Sequence, residues 1–413
     1  MLKDRIAERL IQSRLERTGG VLITGPKAVG KTTTARVFSR SEVRLDQDRA
    51  ALVAARTDPR LVLGGEFPRL IDEYHLADGV WEAVRGRIDE LGDTGLFLLT
   101  GSAMPNDAIR LHSGARRIAP VTMRTMTFRE RGLSTGAVSV GSLLSGNLPD
   151  PVSDRVTVSD VVESVAIGGW PDNLKLSANQ AIESNLDYID MLVNKEAQHV
   201  DGAKRDPEGL RRLIRSYSRN VGTDASLQAI ARTTDRPLSS RTLYDYLGVL
   251  RGLYLIEDQD AWKPRLRSRI RLAATPKRHM ADPSLAVAAL GASPSRLLGP
   301  EIELCGFLFE SQVIHDLRVY AEPHRASVRF YRDNKGLEVD AIVEDKDGRW
   351  VGLEVKLGQS RIDEGARNLL AMRDKLAGEE AALCGALVVV SADTPTYQRP
   401  DEVLVTSLAA MGP

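Results

Sequence analysis

The residues Gly25-Pro26-Lys27-Ala28-Val29-Gly30-Lys31-Thr32 match the phosphate-loop spacing G-x-x-x-x-G-K-[ST] at every fixed position. Each residue type has a chemical reason to be there. Glycine lets the main chain approach an anion closely. Loop N–H groups and the positive end of a following helix then converge on it. Lys31 would reach the β- and γ-phosphates, and the Thr32 hydroxyl would hold Mg²⁺, with Thr33 beside it. The flanks suit this chemistry. Val21-Leu22-Ile23-Thr24 reads as a buried strand, and residues 33–39 read as a helix.

A second chemical signal follows one β-α-β unit later. Arg69-Leu70-Ile71-Asp72-Glu73 is a short apolar strand ending in two acids. In a phosphate-loop ATPase the first acid, here Asp72, holds Mg²⁺ through water. The second, Glu73, polarises the attacking water as general base. Asp46 and Asp48 end another short strand over residues 42–45, where they can face a ligand edge or cap the next helix. Residues 79–91 read as a helix. The strand over 95–100 ends in Thr100-Gly101-Ser102, where a hydroxyl such as that of Ser102 could sense the γ-phosphate or simply serve the turn. Arg116-Arg117 could neutralise transition-state charge, within the subunit or from a neighbour, or lie solvated at the surface.

The phosphate loop, the Leu-Ile-Asp-Glu strand and the Leu-Leu-Thr-Gly-Ser strand together resemble the bacterial and archaeal AAA-like ATPases that carry a C-terminal DUF4143 region. The resemblance implies ATP and Mg²⁺ as cofactors and fixes architecture better than substrate. Gly168-Gly169-Trp170-Pro171 also looks like that family. Its expected job is a fixed bend, since glycine permits φ above zero and proline fixes φ.

Composition sets the frame. At 413 residues two or three domains are expected. The 56 Lys and Arg residues balance 56 Asp and Glu, so any nucleic-acid contact must come from a local patch. Cys305 and Cys384 alone make no disulfide framework, and residues 1–5 do not read as a secretory signal, so none is expected. No apolar run approaches the roughly 18 to 20 residues that cross a bilayer. A cytoplasmic location with no membrane partner is expected.

Residues 132–154 are rich in Gly and Ser and read as a boundary. Beyond it, residues 178–199 form the longest helical pattern. Helices over 207–220, 226–231 and 239–251, then a strand at 253–256, follow the order of a winged helix. Seven Lys or Arg and no acid lie between Lys263 and Arg278. Arg265, Arg267, Arg269 and Arg271 alternate along one strand face, which suits phosphate contacts or a charge-guarded edge.

The C-terminal third reads α-β-β-β-α-β. Glu310 lies on the first helix, Asp340 on the second strand, and Glu354 with Lys356 on the third. Two residues apart, Glu354 and Lys356 face one side of the sheet. This set resembles the PD-(D/E)xK nuclease superfamily. The likeness implies Asp340 and Glu354 as Mg²⁺ ligands, Lys356 as the group that orients or deprotonates water, and Glu310 as a further carboxylate. The naming proline is missing, since Val339 precedes Asp340.

The expected fold class is multidomain α/β. A P-loop ATPase domain with a parallel sheet spans 1–135, a linker 136–156, a helical winged-helix-like domain 157–290, and a PD-(D/E)xK-like α/β domain 291–413. The expected activity is Mg²⁺-dependent ATP hydrolysis controlling a module that acts on DNA or RNA. The alternatives are a nucleotide-gated switch that docks a protein partner, with an inactive nuclease-like domain, and a small-molecule kinase. A homo-oligomer is required if Arg116 or Arg117 acts in trans.

Overall fold

The computed structural model describes residues 4–101, 116–153, 156–198, 203–234, 236–263, 275–376 and 378–413. The chain divides into two compact units. The first comprises Met1–Thr125 with Glu196–Ala203 and Gly252–Tyr254, and the second holds the remainder.

The first unit is built on a parallel sheet. Its strands are β1 (Gly20–Thr24), β2 (Ser41–Arg44), β3 (Arg69–Asp72), β4 (Phe97–Thr100) and β5 (Ile118–Thr122). They lie in the order β2-β3-β4-β1-β5, each pair parallel. β1 and β4 are buried along their whole length because both sheet faces are covered. Period two sorts the side chains. Leu22, Ile71, Phe97 and Leu99 join Trp81 and Val84 on one face, while Val21, Ile23, Leu70 and Leu98 join Ile11 on the other. A parallel sheet sends all its carboxyl ends to one edge. The phosphate loop, Asp72 and Thr100 therefore emerge together. Asp48 caps the Arg49–Thr57 helix by accepting from the Ala51 N–H at 2.9 Å, so helix capping is its role.

The second unit contains a mixed sheet of β7 (Ser327–Arg332), β8 (Glu338–Glu344), β9 (Trp350–Lys356), β10 (Cys384–Ser391), β11 (Tyr397–Gln398) and β12 (Leu404–Ser407). Its order is β11-β12-β10-β9-β8-β7. β7, β8 and β9 form an antiparallel meander, and β9, β10 and β12 are parallel. The Ile362–Arg373 helix crosses from β9 to β10 and buries Ile362, Ala366 and Leu369 at helical spacing against the sheet. The Ile302–Ala321 helix is buried around much of its circumference and runs through the core.

Three expectations need correction. Part of the stretch 136–156, expected as a linker, forms regular structure. Within it β6 (Val138–Ser139) pairs in parallel with β13 (Met411–Gly412), and the Val140–Leu144 helix follows. Thr135 N–H adds a bond to the Ala409 carbonyl at 2.8 Å. The unit boundary falls between Thr125 and Met126, and no unit boundary falls at 290. Residues 253–256 do not form a strand. Tyr254 has φ of 55°, which interrupts extended backbone, and only Ile256 makes a bridge, to Met280. The three helices before it form as Pro207–Arg219, Leu227–Arg232 and Ser240–Gly252.

The Gly-Gly-Trp-Pro bend is enforced by close packing. Gly168 has φ of 76°, and a Cβ there would fall 2.2 Å from Ser284 Oγ. Gly169 N–H donates to Asp282 Oδ2 at 2.9 Å. Gly168→Ala should therefore destabilise the second unit by at least about 1–3 kcal/mol, the usual strain of a forced left-handed residue. Denaturant unfolding of the full chain would show this, whereas Ala at the unstrained, uncrowded Gly306 should change little.

Candidate functional site

The phosphate loop takes a shape that its residue types predict. Gly25 has φ of 140°, and a Cβ there would meet the Met123 carbonyl at 2.1 Å. Gly30 is left-handed and caps the Lys31–Arg36 helix. Buried Arg5 clamps the loop from outside. Its guanidinium donates to the Val29 carbonyl and to the Arg124 carbonyl, each at 2.7 Å. Lys31 is buried, and its ammonium donates to the Gly25 and Pro26 carbonyls at 3.0 and 2.7 Å. Burial lowers its pKa to about 8, against the opposing pull of Glu73 and Asp72. Thr33 is exposed at the start of the helix, and Ala28 at the tip of the loop. Lys27 pairs with Glu196 at 2.6 Å.

Asp72 is the hub of the site and is 1% exposed. Thr32 Oγ1 donates to its Oδ1 at 2.8 Å. The Thr100 hydroxyl donates to the same oxygen in a short bond, and accepts from the Glu73 N–H at 3.3 Å. Arg44 Nε stands 3.4 Å from Asp72 Oδ2. Glu73 follows directly with φ of 53°. A non-glycine residue rarely adopts that conformation, and it is found where surrounding structure imposes it. His75 Nδ1 lies 3.3 Å from Glu73 Oε2, and burial lowers the imidazole pKa. Thr32 and Asp72 bring two hard oxygen donors together beside the loop, a donor set that fits Mg²⁺ shared with phosphate oxygens.

The remaining first-unit predictions land elsewhere. Ser102 lies outside the described residues. Arg117 stands at the opposite edge of the sheet, since its carbonyl accepts from the Gly20 N–H where β1 begins. β1 then runs five residues, roughly 15 Å, before the phosphate loop starts. Arg117 pairs with Asp89 at 2.5 Å, and Arg116 is exposed with φ of 69°. A role for this pair at phosphates in the same subunit is corrected by that placement.

In the second unit the singled-out carboxylates do converge. Strand register sets Ala341 opposite Leu353, which puts Asp340 beside Glu354. Glu310 reaches the same place from the Ile302–Ala321 helix. They line a cleft of about 860 Å³ with Lys356, Arg361 and Asn368. The unexpected member is Lys277. Its ammonium lies 2.7 Å from Glu310, 2.6 Å from Glu338 and 3.1 Å from Asp340. Burial alone would lower the Lys277 pKa, but these carboxylates hold it well above the usual lysine range. Burial and the nearby Asp340 raise Glu310 to about 8. Burial would likewise raise Asp340, but Lys277 and Lys356 keep it below its ordinary value. Lys356 Nζ pairs with Glu354 Oε2 at 2.7 Å, and Asn368 donates to Glu354 Oε1 at 3.2 Å. Arg265, Arg267, Arg269 and Arg271 lie outside the described residues.

An AAA domain model covers residues 18–132, and models of two domains of unknown function, DUF8612 and DUF4143, cover 158–296 and 305–411. The chain carries an AAA domain and a C-terminal DUF4143 domain. It is 25% identical over 362 residues to the uncharacterized proteins Mb2031c of Mycobacterium bovis and Rv2008c of Mycobacterium tuberculosis, which spans 86% of this chain and 74% of each relative. Among solved structures, the Walker-type ATPase PABY2304 of Pyrococcus abyssi overlays with a TM-score of 0.43 at 16% identity, over 70% of this chain and 96% of that one. AMPPCP-bound DnaA from Aquifex aeolicus gives 0.30 at 16% identity, over 61% and 88%.

Sequence reasoning missed Thr100, Arg44 and Lys277. Thr100 was within view as the first hydroxyl of Thr-Gly-Ser at the end of β4. Lys277 lies in the basic stretch whose arginines suit phosphate contacts, yet Lys277 and Arg278 are buried, Arg278 on Asp258 at 2.9 Å. Thr100→Val keeps the shape but removes a donor to Asp72 and the acceptor of the Glu73 N–H. The AAA domain should lose about 1–3 kcal/mol of stability, the penalty of unsatisfied buried polar groups. A lowered unfolding midpoint by circular dichroism would register it.

Proposed function

We propose that this AAA-domain protein is a Mg²⁺-dependent ATPase whose nucleotide state controls its DUF4143-containing unit. The observation that carries the reading is the 2.8 Å contact between Thr32, on the phosphate loop, and Asp72, two strands away in the sheet. Loop N–H groups and Lys31 would bind the phosphates, with Lys31 turning from the Gly25 and Pro26 carbonyls. Thr32 and Asp72 would hold Mg²⁺, which when bound supplies charge neutralisation at the phosphoryl oxygens. Glu73 would orient the attacking water and take its proton, with its carboxylate steadied by His75. An arginine from Arg116-Arg117 would act only from a second copy in a homo-oligomer.

The second unit is read as a winged-helix and PD-(D/E)xK-like module acting on DNA or RNA. Three helices before an antiparallel pairing, and the convergence of Glu310, Asp340, Glu354 and Lys356 at one cleft, support that reading. One specific observation favours its alternative, a nucleotide-gated switch or scaffold that binds a protein partner and has an inactive nuclease-like domain. Both oxygens of Asp340 and both of Glu354 are already bonded within the protein.

Lys31→Ala should reduce steady-state ATP turnover by at least about 100-fold. Glu73→Gln should retain ATP binding while hydrolysis falls about 10²- to 10⁴-fold, as expected for loss of a general base. Natural turnover by Lys31→Ala would overturn the assignment.

Phosphate binding needs a charged Lys31. The free protein's lysine loses its proton near pH 8, and bound phosphate would hold that proton to higher pH. Triphosphate affinity should therefore be flat below pH 8. It should fall by up to about tenfold per pH unit above it, one proton being taken up on binding. Equilibrium titration with a fluorescent ATP analogue from pH 7 to 9.5 would show this slope, and Lys31→Arg should remove it.

A further inference from the structure

The Asp340 cluster has the residue types of a divalent-metal site, but its geometry does not fit one. Mg²⁺ draws oxygen ligands to roughly 2.0–2.1 Å in an octahedron. Here the central position is taken by the Lys277 ammonium, which spans Glu310, Glu338 and Asp340 at 2.6 to 3.1 Å. Three ammonium protons meet three carboxylates. The second Asp340 oxygen accepts from the Val355 N–H at 2.9 Å. Glu354 is divided between Lys356 and Asn368. Among the described residues, no three His, Cys, Asp or Glu side chains form a group that could hold a metal ion.

Lys277 is built into this place. Its backbone N–H and carbonyl both pair with Gln259, each at 2.9 Å. Gln259 in turn donates from Nε2 to the Asp340 carbonyl at 3.0 Å, tying the Lys277 backbone pair to β8. The next residue, Arg278, is anchored on Asp258 and on the Ala225 carbonyl. The Lys277 ammonium also lies 5.8 Å from the centre of the Phe330 ring. The Lys277 side chain is only 3% exposed, so solvent offers it little alternative.

We propose that Lys277 is the resident cation of the Glu310–Glu338–Asp340 cluster, and that it closes this site to divalent metal in the natural protein. The inference rests on the switch reading of the second unit. It assigns the protein's Mg²⁺ requirement to the AAA domain alone. It also makes Lys277, and not a metal, the group that lets the carboxylates be buried together.

The test is Mn²⁺ binding to the full chain without nucleotide, followed by electron paramagnetic resonance of free Mn²⁺. The natural protein and Asp340→Asn should give the same isotherm. Lys277→Met should gain one Mn²⁺ per chain, and Lys277→Met combined with Asp340→Asn should lose it. Mn²⁺ should also raise the unfolding temperature of Lys277→Met but not of the double variant. Asp340-dependent Mn²⁺ binding by the natural protein would overturn the inference. So would a folded Lys277→Met chain that gains no site. If Lys277→Met does not fold, the comparison of the natural protein with Asp340→Asn decides alone. A parallel assay of DNA and RNA cleavage separates the two layers. Cleavage that Asp340→Asn abolishes, with matching isotherms, would sink the switch reading while leaving metal exclusion at Lys277 intact. Asp340-dependent metal without cleavage would sink only the Lys277 inference.

Discussion

A buried carboxylate with no solvent to stabilise it governs the first unit. Asp72 sits at the carboxyl end of β3, and two hydroxyls and one guanidinium answer its charge. Each comes from a different segment: Thr32 from the phosphate loop, Thr100 from β4 and Arg44 from β2. Burial of an ion is expensive unless it is paired and hydrogen-bonded. The partners therefore have to arrive together. The sheet, in which β4 lies between β1 and β3 and all are parallel, brings these ends to one edge. The sheet order, the fully buried apolar strands and the glycine conformations of the loop all serve that meeting point.

The second unit solves the same problem with more carboxylates and with lysines as partners. Four carboxylates, Glu310, Glu338, Asp340 and Glu354, approach one cleft from a helix and two strands. Left alone they would repel and take up protons; burial first, and then the nearby Asp340, raise the pKa of Glu310. Lys277 and Lys356 turn the repulsion into two interlocked ion clusters. Removing one member of such a cluster leaves an uncompensated charge, which costs far more than the intact cluster contributes. The residue set of a metal site is thus compatible with a metal-free interior when a cation is supplied by the chain itself.

The two units treat lysine differently for one physical reason. Lys31 has two carbonyls as direct partners and two carboxylates at longer range, so burial prevails and its proton is loosened. Lys277 has three carboxylates in direct contact, so attraction prevails and its proton is held. The first is suited to exchange carbonyl partners for incoming phosphates. The second is suited to stay where it is.

Local signals in the sequence determined the phosphate loop, the acid pair after β3, the capping role open to Asp48, and the bend at Gly168. These depend on spacings of a few residues: glycines where φ is positive, acids at a strand end, apolar residues at period two. The meander that pairs Asp340 with Glu354 was legible too, because tight turns fix register over short distances. Tertiary structure decided what distance along the chain conceals. Residues 136–156 look like a linker by composition, but the partner of Val138–Ser139, Met411–Gly412, lies far along the chain. Arg117 looks available to phosphates until strand direction carries it to the other edge of the sheet. Lys277 looks like one more surface cation in a basic run. Its place among Glu310, Glu338 and Asp340 arises from contacts across more than thirty residues, which no local pattern encodes.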